Sequence, residues 1–133
     1  MGAVANGALE AGGEVIGILP QLLVEKEVAH KGLTKLHIVD TMHERKALLS
    51  TLSCAFLALP GGYGTVDEMI EATTWNQLRI HHKPCVLINT LGYWNPMIDW
   101  VQQAVNAGFV RAANQSLIQV AKDSAEALRL IGA

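Results

Sequence analysis

The chain has 133 residues, which is the size of a single domain; half of them are hydrophobic and only 17% are charged. The net charge of −2 and the lack of a lysine or arginine block exclude a nucleic-acid partner recruited by charge. No apolar run approaches the ~20 residues of a membrane span, and no signal peptide is recognisable, so a cytoplasmic globular protein without membrane partners is expected.

Helical and apolar strand-like segments alternate along the chain. The expected helices cover residues 1–12, 43–53, 65–80, 95–107 and 124–131, with a short helical turn around residues 24–28. The expected strands cover residues 14–19, 35–39, 55–59, 85–89 and 116–120. Apolar strands that alternate with helices favour a parallel sheet covered on both faces. The fold class is therefore α/β, a doubly wound sheet over residues 1–133, with ligands bound beyond the carboxyl ends of the strands.

A glycine-rich stretch, Pro60–Glu68, joins the third expected strand to the next helix. Its glycines let the backbone approach a ligand closely, and the free N–H groups at a helix N-terminus favour an anion such as phosphate. Thr65 and Glu68 also match a capping box, which would make the stretch an ordinary tight turn. The spacing matches neither the Walker loop nor the dinucleotide fingerprint, and it leaves both interpretations open.

A second strand-to-helix junction, Asp40–Lys46, should lie at the same edge of the sheet. Thr41 and Glu44 fit a capping box there. Arg45 and Lys46, by contrast, place cations near the positive end of the helix dipole, which costs about 0.3–1 kcal/mol each. Lys46 either contacts a phosphate or is an ordinary surface residue.

Arg45 heads an apolar helical row that continues through Leu48, Leu49 and Leu52, so its side chain should point toward the sheet. A guanidinium at that place can grip a phosphate or a carboxylate with two N–H bonds. The alternative is a salt bridge from Arg45 to Glu68 or Glu71 in the helix after the glycine-rich stretch. Arg45 can also make the salt bridge and bind the ligand at the same time.

The remaining reactive side chains carry weaker signals. Cys54 and Cys85 show no metal or redox spacing and are expected to be buried and reduced. The five histidines lack metal-ligand spacing, and the three tryptophans are expected in the core or at an interface. No metal site is predicted.

The paired motifs Met42–Lys46 and Pro60–Glu68 resemble those of the Lonely Guy family, cytokinin riboside 5′-monophosphate phosphoribohydrolases often labelled "possible lysine decarboxylase". Every fixed position of the family pattern P-G-G-x-G-T-x-x-E is met. Segments further along also look like the family, at residues 74–78, 82–84 and 92–94.

This resemblance implies a Rossmann-like homodimer or higher homo-oligomer that hydrolyses the N-glycosidic bond of an N6-modified adenosine 5′-monophosphate, without a cofactor. By position, Arg45 and Glu68 match the catalytic pair. The residues that match the phosphate loop are Gly61, Gly62, Gly64 and Thr65.

Two features of the family are expected to be missing from this sequence. Members carry an N-terminal strand with a Cys-Gly-Ser-like turn and a second strand that ends in a Gly-Gly-Gly loop, and the chain is expected to begin just after that loop. A non-catalytic nucleotide- or cofactor-binding carrier of the same fold is therefore the alternative function. Lysine decarboxylation is disfavoured, because the sequence offers no recognisable context for a Schiff-base lysine.

Overall fold

The computed structural model describes residues 1–24 and 30–133, in which helices and strands alternate. The α-helices are α1 (Gly2–Glu10), α2 (Gln21–Val24), α3 (Met42–Leu52), α4 (Tyr63–Gln77), α5 (Asn95–Asn106) and α6 (Ser124–Leu130). The strands are β1 (Ile16–Pro20), β2 (Lys35–Val39), β3 (Phe56–Ala58), β4 (Cys85–Ile88) and β5 (Ile118–Ala121). Two 3₁₀ helices cover Thr90–Gly92 and Ala112–Leu117. The predicted turn at residues 24–28 lies, beyond Val24, outside the described residues.

The chain divides into two compact units, Met1–Leu52 and Ser53–Ala133. In the first unit, β1 and β2 form a parallel pair whose register runs from Ile16 opposite Lys35 to Pro20 opposite Val39. Helix α3 packs against both strands. The prediction of one domain over residues 1–133 stays a prediction.

The second unit contains a parallel sheet in the order β3-β4-β5. All four residues of β4 are buried, and its side chains alternate between two apolar clusters. Cys85 and Leu87 join Met69 of α4 in one cluster, whereas Val86 joins Ala127 of α6 in the other. Helices therefore cover both faces of this sheet, and the predicted parallel α/β fold is confirmed, with its strands in two sheets.

Helix α4 begins earlier than the sequence predicts. Gly62, with φ −94° and ψ −151°, is the N-cap residue, and the Val66 N–H donates to the Gly62 carbonyl at 3.1 Å to close the first turn. Thr65 therefore lies inside the first turn, and its predicted capping role is wrong. Glycine is among the residues favoured at an N-cap, where the backbone is extended rather than helical.

The two cysteines differ in their surroundings. Cys85 is buried in β4, as predicted, but Cys54 is exposed between the end of α3 and the start of β3, so the prediction of a buried Cys54 is wrong. Both are free thiols. Throughout residues 1–24 and 30–133, no helix has the length and apolar character needed to cross a bilayer.

Candidate active site

The glycine turn, residues 60–65 at the start of α4, contains one glycine that the packing requires. A Cβ built on Gly61 would overlap the hydroxyl of Thr65 and lie 2.9 Å from its Cβ. No real Cβ approaches another carbon so closely without a shift of the neighbour. Gly61 is therefore a glycine because Thr65 packs over it.

The other two glycines of the turn have no such reason. Apart from their own helical turn, no heavy atom of the described residues lies within 4 Å of a Cβ built on Gly62 or Gly64. Neither residue has a positive φ. Gly64 even lies inside the first turn of α4, where glycine costs about 0.5–1 kcal/mol relative to alanine. Open space in front of the unbonded N–H groups of a helix N-terminus is the geometry that an anion requires.

The glycine turn is tied to a distant part of the second unit. The Tyr93 hydroxyl donates a 2.7 Å hydrogen bond to the Gly61 carbonyl, across a sequence separation of 32 residues. No motif or spacing in the sequence predicts a role for Tyr93. The only signal that could have found it is the similarity of residues 92–94 to the family, since a bond between distant residues leaves no periodic pattern.

The carboxylates of α4 lie on two faces of the helix. Glu68 shares a cavity of about 220 Å³ with Thr65 and with residues of β3. Asp67 and Glu71 instead line a groove of about 890 Å³ that also reaches Gly61 and Gly62. Glu68 lies in the second turn of α4, where the effect of the helix dipole has largely faded.

The larger groove is mostly apolar and runs between α4 and the start of α5. Its aromatic lining residues are Tyr63, Trp75, Tyr93 and Trp94. Trp94 is only 3% exposed and belongs to the core cluster, as predicted for a tryptophan. Trp75 is half-buried at the groove, and Trp100 is exposed on α5. The groove therefore begins at the glycine turn but excludes Glu68.

In the first unit, the threonine half of the predicted capping box of α3 is confirmed, but the bond to the glutamate carboxylate is shifted by one residue. The Glu44 N–H donates to the Thr41 hydroxyl at 3.1 Å, and the Glu44 carboxylate accepts from the Asp40 N–H at 2.8 Å. The Thr41 hydroxyl thus satisfies one of the N–H groups that the first turn leaves unbonded, whereas the Glu44 carboxylate binds the N–H of the residue before the N-cap. The start of α3 is therefore held by its own side chains.

Arg45 points toward the sheet, as the helical row predicts. It is partly buried, and its Nε donates to the Ile18 carbonyl of β1 at 3.4 Å. Lys46 is also partly buried. Both residues belong to the first unit, whereas Glu68 and the glycine turn belong to the second. The catalytic pairing of Arg45 with Glu68 therefore stays a prediction.

His81 is a titratable group outside the predicted site. The Lys83 N–H donates to its Nδ1 at 3.1 Å, and the Phe56 ring lies 5.6 Å away, centroid to centroid. Burial, followed by the charges of Lys83 and His82, lowers the pKa of His81 below its usual 6.5, and the backbone of Ala72 opposes the shift.

As for metals, the described residues contain no group of three or more His, Cys, Asp or Glu side chains placed to hold an ion.

Comparison with known proteins identifies the family. A sequence model described as "Possible lysine decarboxylase" matches residues 1–131, nearly the whole chain. The chain belongs to this family. It is similar to the cytokinin riboside 5′-monophosphate phosphoribohydrolase of Rhodococcoides fascians, with 46% identity over 132 residues, or 98% of this chain and 67% of that protein.

Plant members of the family are also similar. The phosphoribohydrolase of the same name from Arabidopsis thaliana is 39% identical over 133 residues, covering 100% of this chain and 58% of that protein. A "probable" phosphoribohydrolase of the same type from Oryza sativa subsp. japonica is 40% identical over 126 residues, covering 95% of this chain and 60% of that protein. The predicted Lonely Guy membership is confirmed. The chain spans 58 to 67% of the length of these three relatives.

Proposed function

We propose that the protein hydrolyses the N-glycosidic bond of adenosine 5′-monophosphates, including those with an N6 substituent, to release the free base and ribose 5-phosphate. The observation that carries the proposal is the open space above Gly62 and Gly64 at the N-terminus of α4. A phosphate oxygen can approach the backbone N–H groups there without meeting a Cβ. The family relatives are named for this reaction on cytokinin riboside 5′-monophosphates.

Two cavities adjoin the proposed site, a groove that reaches Gly61 and Gly62 and a smaller cavity lined by Thr65 and Glu68. The turn of Gly61, Gly62, Gly64 and Thr65 holds the 5′-phosphate, with Lys46 as a further cation. The proposal directs the ribose from that phosphate to the Glu68 side of α4, and the cavity that Thr65 and Glu68 line together supports this direction.

Glu68 then orients the attacking water or offsets the positive charge that develops at the anomeric carbon. Arg45 grips the nucleotide and stabilises negative charge as the bond to the base breaks. The partly buried position of the Arg45 guanidinium, with its Nε bonded to β1, supports this role because a restrained side chain is already oriented for its ligand. No step requires a metal or an organic cofactor.

The test is to incubate the protein with adenosine 5′-monophosphate and with its N6-isopentenyl derivative, and to quantify free base and ribose 5-phosphate chromatographically. Glu68→Gln and Arg45→Ala should each lower turnover by about 10²–10³-fold while the melting temperature stays close to that of the wild type. Asp67→Asn is the matched control, since it removes the neighbouring carboxylate on the groove side of α4.

The control also decides which face of α4 is catalytic. Loss of activity in Asp67→Asn together with normal turnover in Glu68→Gln would contradict the proposed roles. Nucleotide binding without any release of base would refute hydrolysis and favour a binding or carrier protein.

We further propose that the protein is a cytoplasmic homodimer or higher homo-oligomer. Large apolar side chains lie exposed on the second unit, which is typical of interaction surfaces; Leu78, Ile80, Trp100 and Phe109 are 63, 64, 54 and 88% exposed. The two free thiols fit a reducing compartment. Light scattering coupled to gel filtration tests the assembly, and a monomer at assay concentration would refute it.

A further inference from the structure

We propose that Tyr93 is a positioning residue for the phosphate site, because its hydroxyl sets the direction of the Gly62 N–H. This inference rests on the proposed function, since it assigns the Gly62 N–H to the phosphate of the substrate. The starting observation is the 2.7 Å hydrogen bond from the Tyr93 hydroxyl to the Gly61 carbonyl.

The planarity of the peptide bond links this hydrogen bond to the phosphate. The Gly61 carbonyl and the Gly62 N–H belong to one peptide group, in which the C=O and N–H bonds point in opposite directions. A group that holds the carbonyl therefore also holds the N–H. A hydroxyl that donates to the carbonyl also polarises the peptide, so the N–H on its other side becomes a better donor. Glycines on both sides leave this peptide free to rotate, so an external tether is needed.

Tyr93 lies in the connector between β4 and α5, residues 89–94, and hydrogen bonds hold this connector in place. The Asn89 side chain accepts from the Trp94 N–H at 2.7 Å and donates to the Asn95 side chain at 2.9 Å. The Asn89 N–H donates to the Ala121 carbonyl of β5 at 2.7 Å, which anchors the connector to the sheet. Between these bonds the backbone of Leu91 adopts φ 53°, a left-handed conformation that residues other than glycine rarely adopt. Such strain persists only where the surrounding contacts over-determine the backbone.

Packing explains the position of the Tyr93 ring but not its hydroxyl. The ring stands edge-on to the buried Trp94, with centroids 5.0 Å apart and an interplanar angle of 88°. Phenylalanine would make the same contact. Tyr93 is 51% exposed, so its hydroxyl could be satisfied by water, yet it reaches the glycine turn. The hydroxyl is therefore the part of the side chain that requires a functional explanation.

The test is Tyr93→Phe, which keeps the ring and removes the hydroxyl. We expect the dissociation constants of inorganic phosphate and of ribose 5-phosphate, measured by calorimetry, to rise about five- to tenfold, the usual effect of one hydrogen bond. In the hydrolysis assay KM should rise by the same factor while kcat changes less than about twofold, because the phosphate is not the reacting centre. Leu91→Ala, which truncates a fully exposed side chain of the same connector, should leave both constants unchanged.

A second measurement follows the backbone amides of the wild-type protein and of Tyr93→Phe. Titration with inorganic phosphate should shift the Gly62 amide in ¹⁵N–¹H spectra more than amides elsewhere in the second unit, and Tyr93→Phe should reduce that shift. Phosphate affinity within twofold of wild type in Tyr93→Phe, or an unperturbed Gly62 amide, would overturn the inference. A wild-type protein that binds no phosphate would overturn both this inference and the proposed function. One that binds phosphate without releasing base would refute hydrolysis alone.

Discussion

Replacing Gly64 with alanine should stabilise the protein and weaken its phosphate site at the same time. Gly64 lies in the first turn of α4 without a positive φ, and a Cβ added there meets no heavy atom of the described residues within 4 Å beyond its own turn. The folded chain therefore gains the helix propensity of alanine without a steric cost. A bound phosphate, in contrast, would have to share its space with the new methyl group.

The two effects can be estimated separately. Alanine in place of glycine in a helix is worth about 0.5–1 kcal/mol, which raises the melting temperature of a domain of this size by about 2–4 °C. A methyl group that keeps a phosphate from the N–H groups removes at least one charge-assisted hydrogen bond. Such a bond contributes about 1.5–3 kcal/mol, so the affinity for phosphate should fall at least about tenfold.

Gly61→Ala is the contrasting variant in the same turn. Its Cβ would lie 2.9 Å from the Thr65 Cβ and 3.2 Å from the Thr65 Cγ2. Overpacking of this kind costs about 1–3 kcal/mol, so this variant should lower the melting temperature by about 4–12 °C. Thermal unfolding and phosphate calorimetry on both variants complete the comparison. A Gly64→Ala protein that is more stable and binds phosphate like the wild type would refute the idea that a ligand explains this glycine.

Two further predictions follow from the titratable groups. Because the pKa of His81 is lower in the folded protein than its usual 6.5, the unfolded chain binds the proton more tightly, and the free energy of unfolding should fall as the pH drops below about 6.5. Urea unfolding at pH 7.5 and 5.5 should show a larger loss for the wild type than for His81→Asn, and equal losses would contradict the assignment. Burial raises the pKa of the Cys85 thiol, so a thiol reagent should modify only the exposed Cys54 in the native protein and reach Cys85 after unfolding. Two thiols that react at one rate in the native state would be inconsistent with this structure.

Much of the fold could be predicted from the sequence because the strands are short apolar runs with clear ends. The prediction for β2 matches the observed Lys35–Val39, and β4 ends one residue before the predicted 89. The capping side chains of Thr41 and Glu44 mark the start of α3 in the same way, since this signal is local. The last strand begins at residue 118 rather than 116, because the 3₁₀ helix Ala112–Leu117 occupies the preceding residues.

What the sequence missed depends on contacts between distant residues. Helix α4 begins at Tyr63, with Thr65 inside its first turn and packed over Gly61, and no periodic pattern encodes this packing. The hydrogen bond from Tyr93 to the glycine turn is hidden for the same reason. The exposure of Cys54 was also missed, since the general tendency of cysteine to be buried says nothing about a residue between two elements.

The motif Thr65-x-x-Glu68 illustrates how one spacing supports two physical interpretations. Residues three apart on a helix face the same side, and this is why threonine and glutamate can form a capping box. Here the helix begins two residues before Thr65, so the same spacing directs both side chains to the cavity beside β3. Asp67, only one residue away, lines the groove on another face. The glutamate of this motif is therefore the α4 carboxylate that shares a cavity with the hydroxyl packed over Gly61, which explains why substitution of neighbouring carboxylates should have unequal effects on turnover.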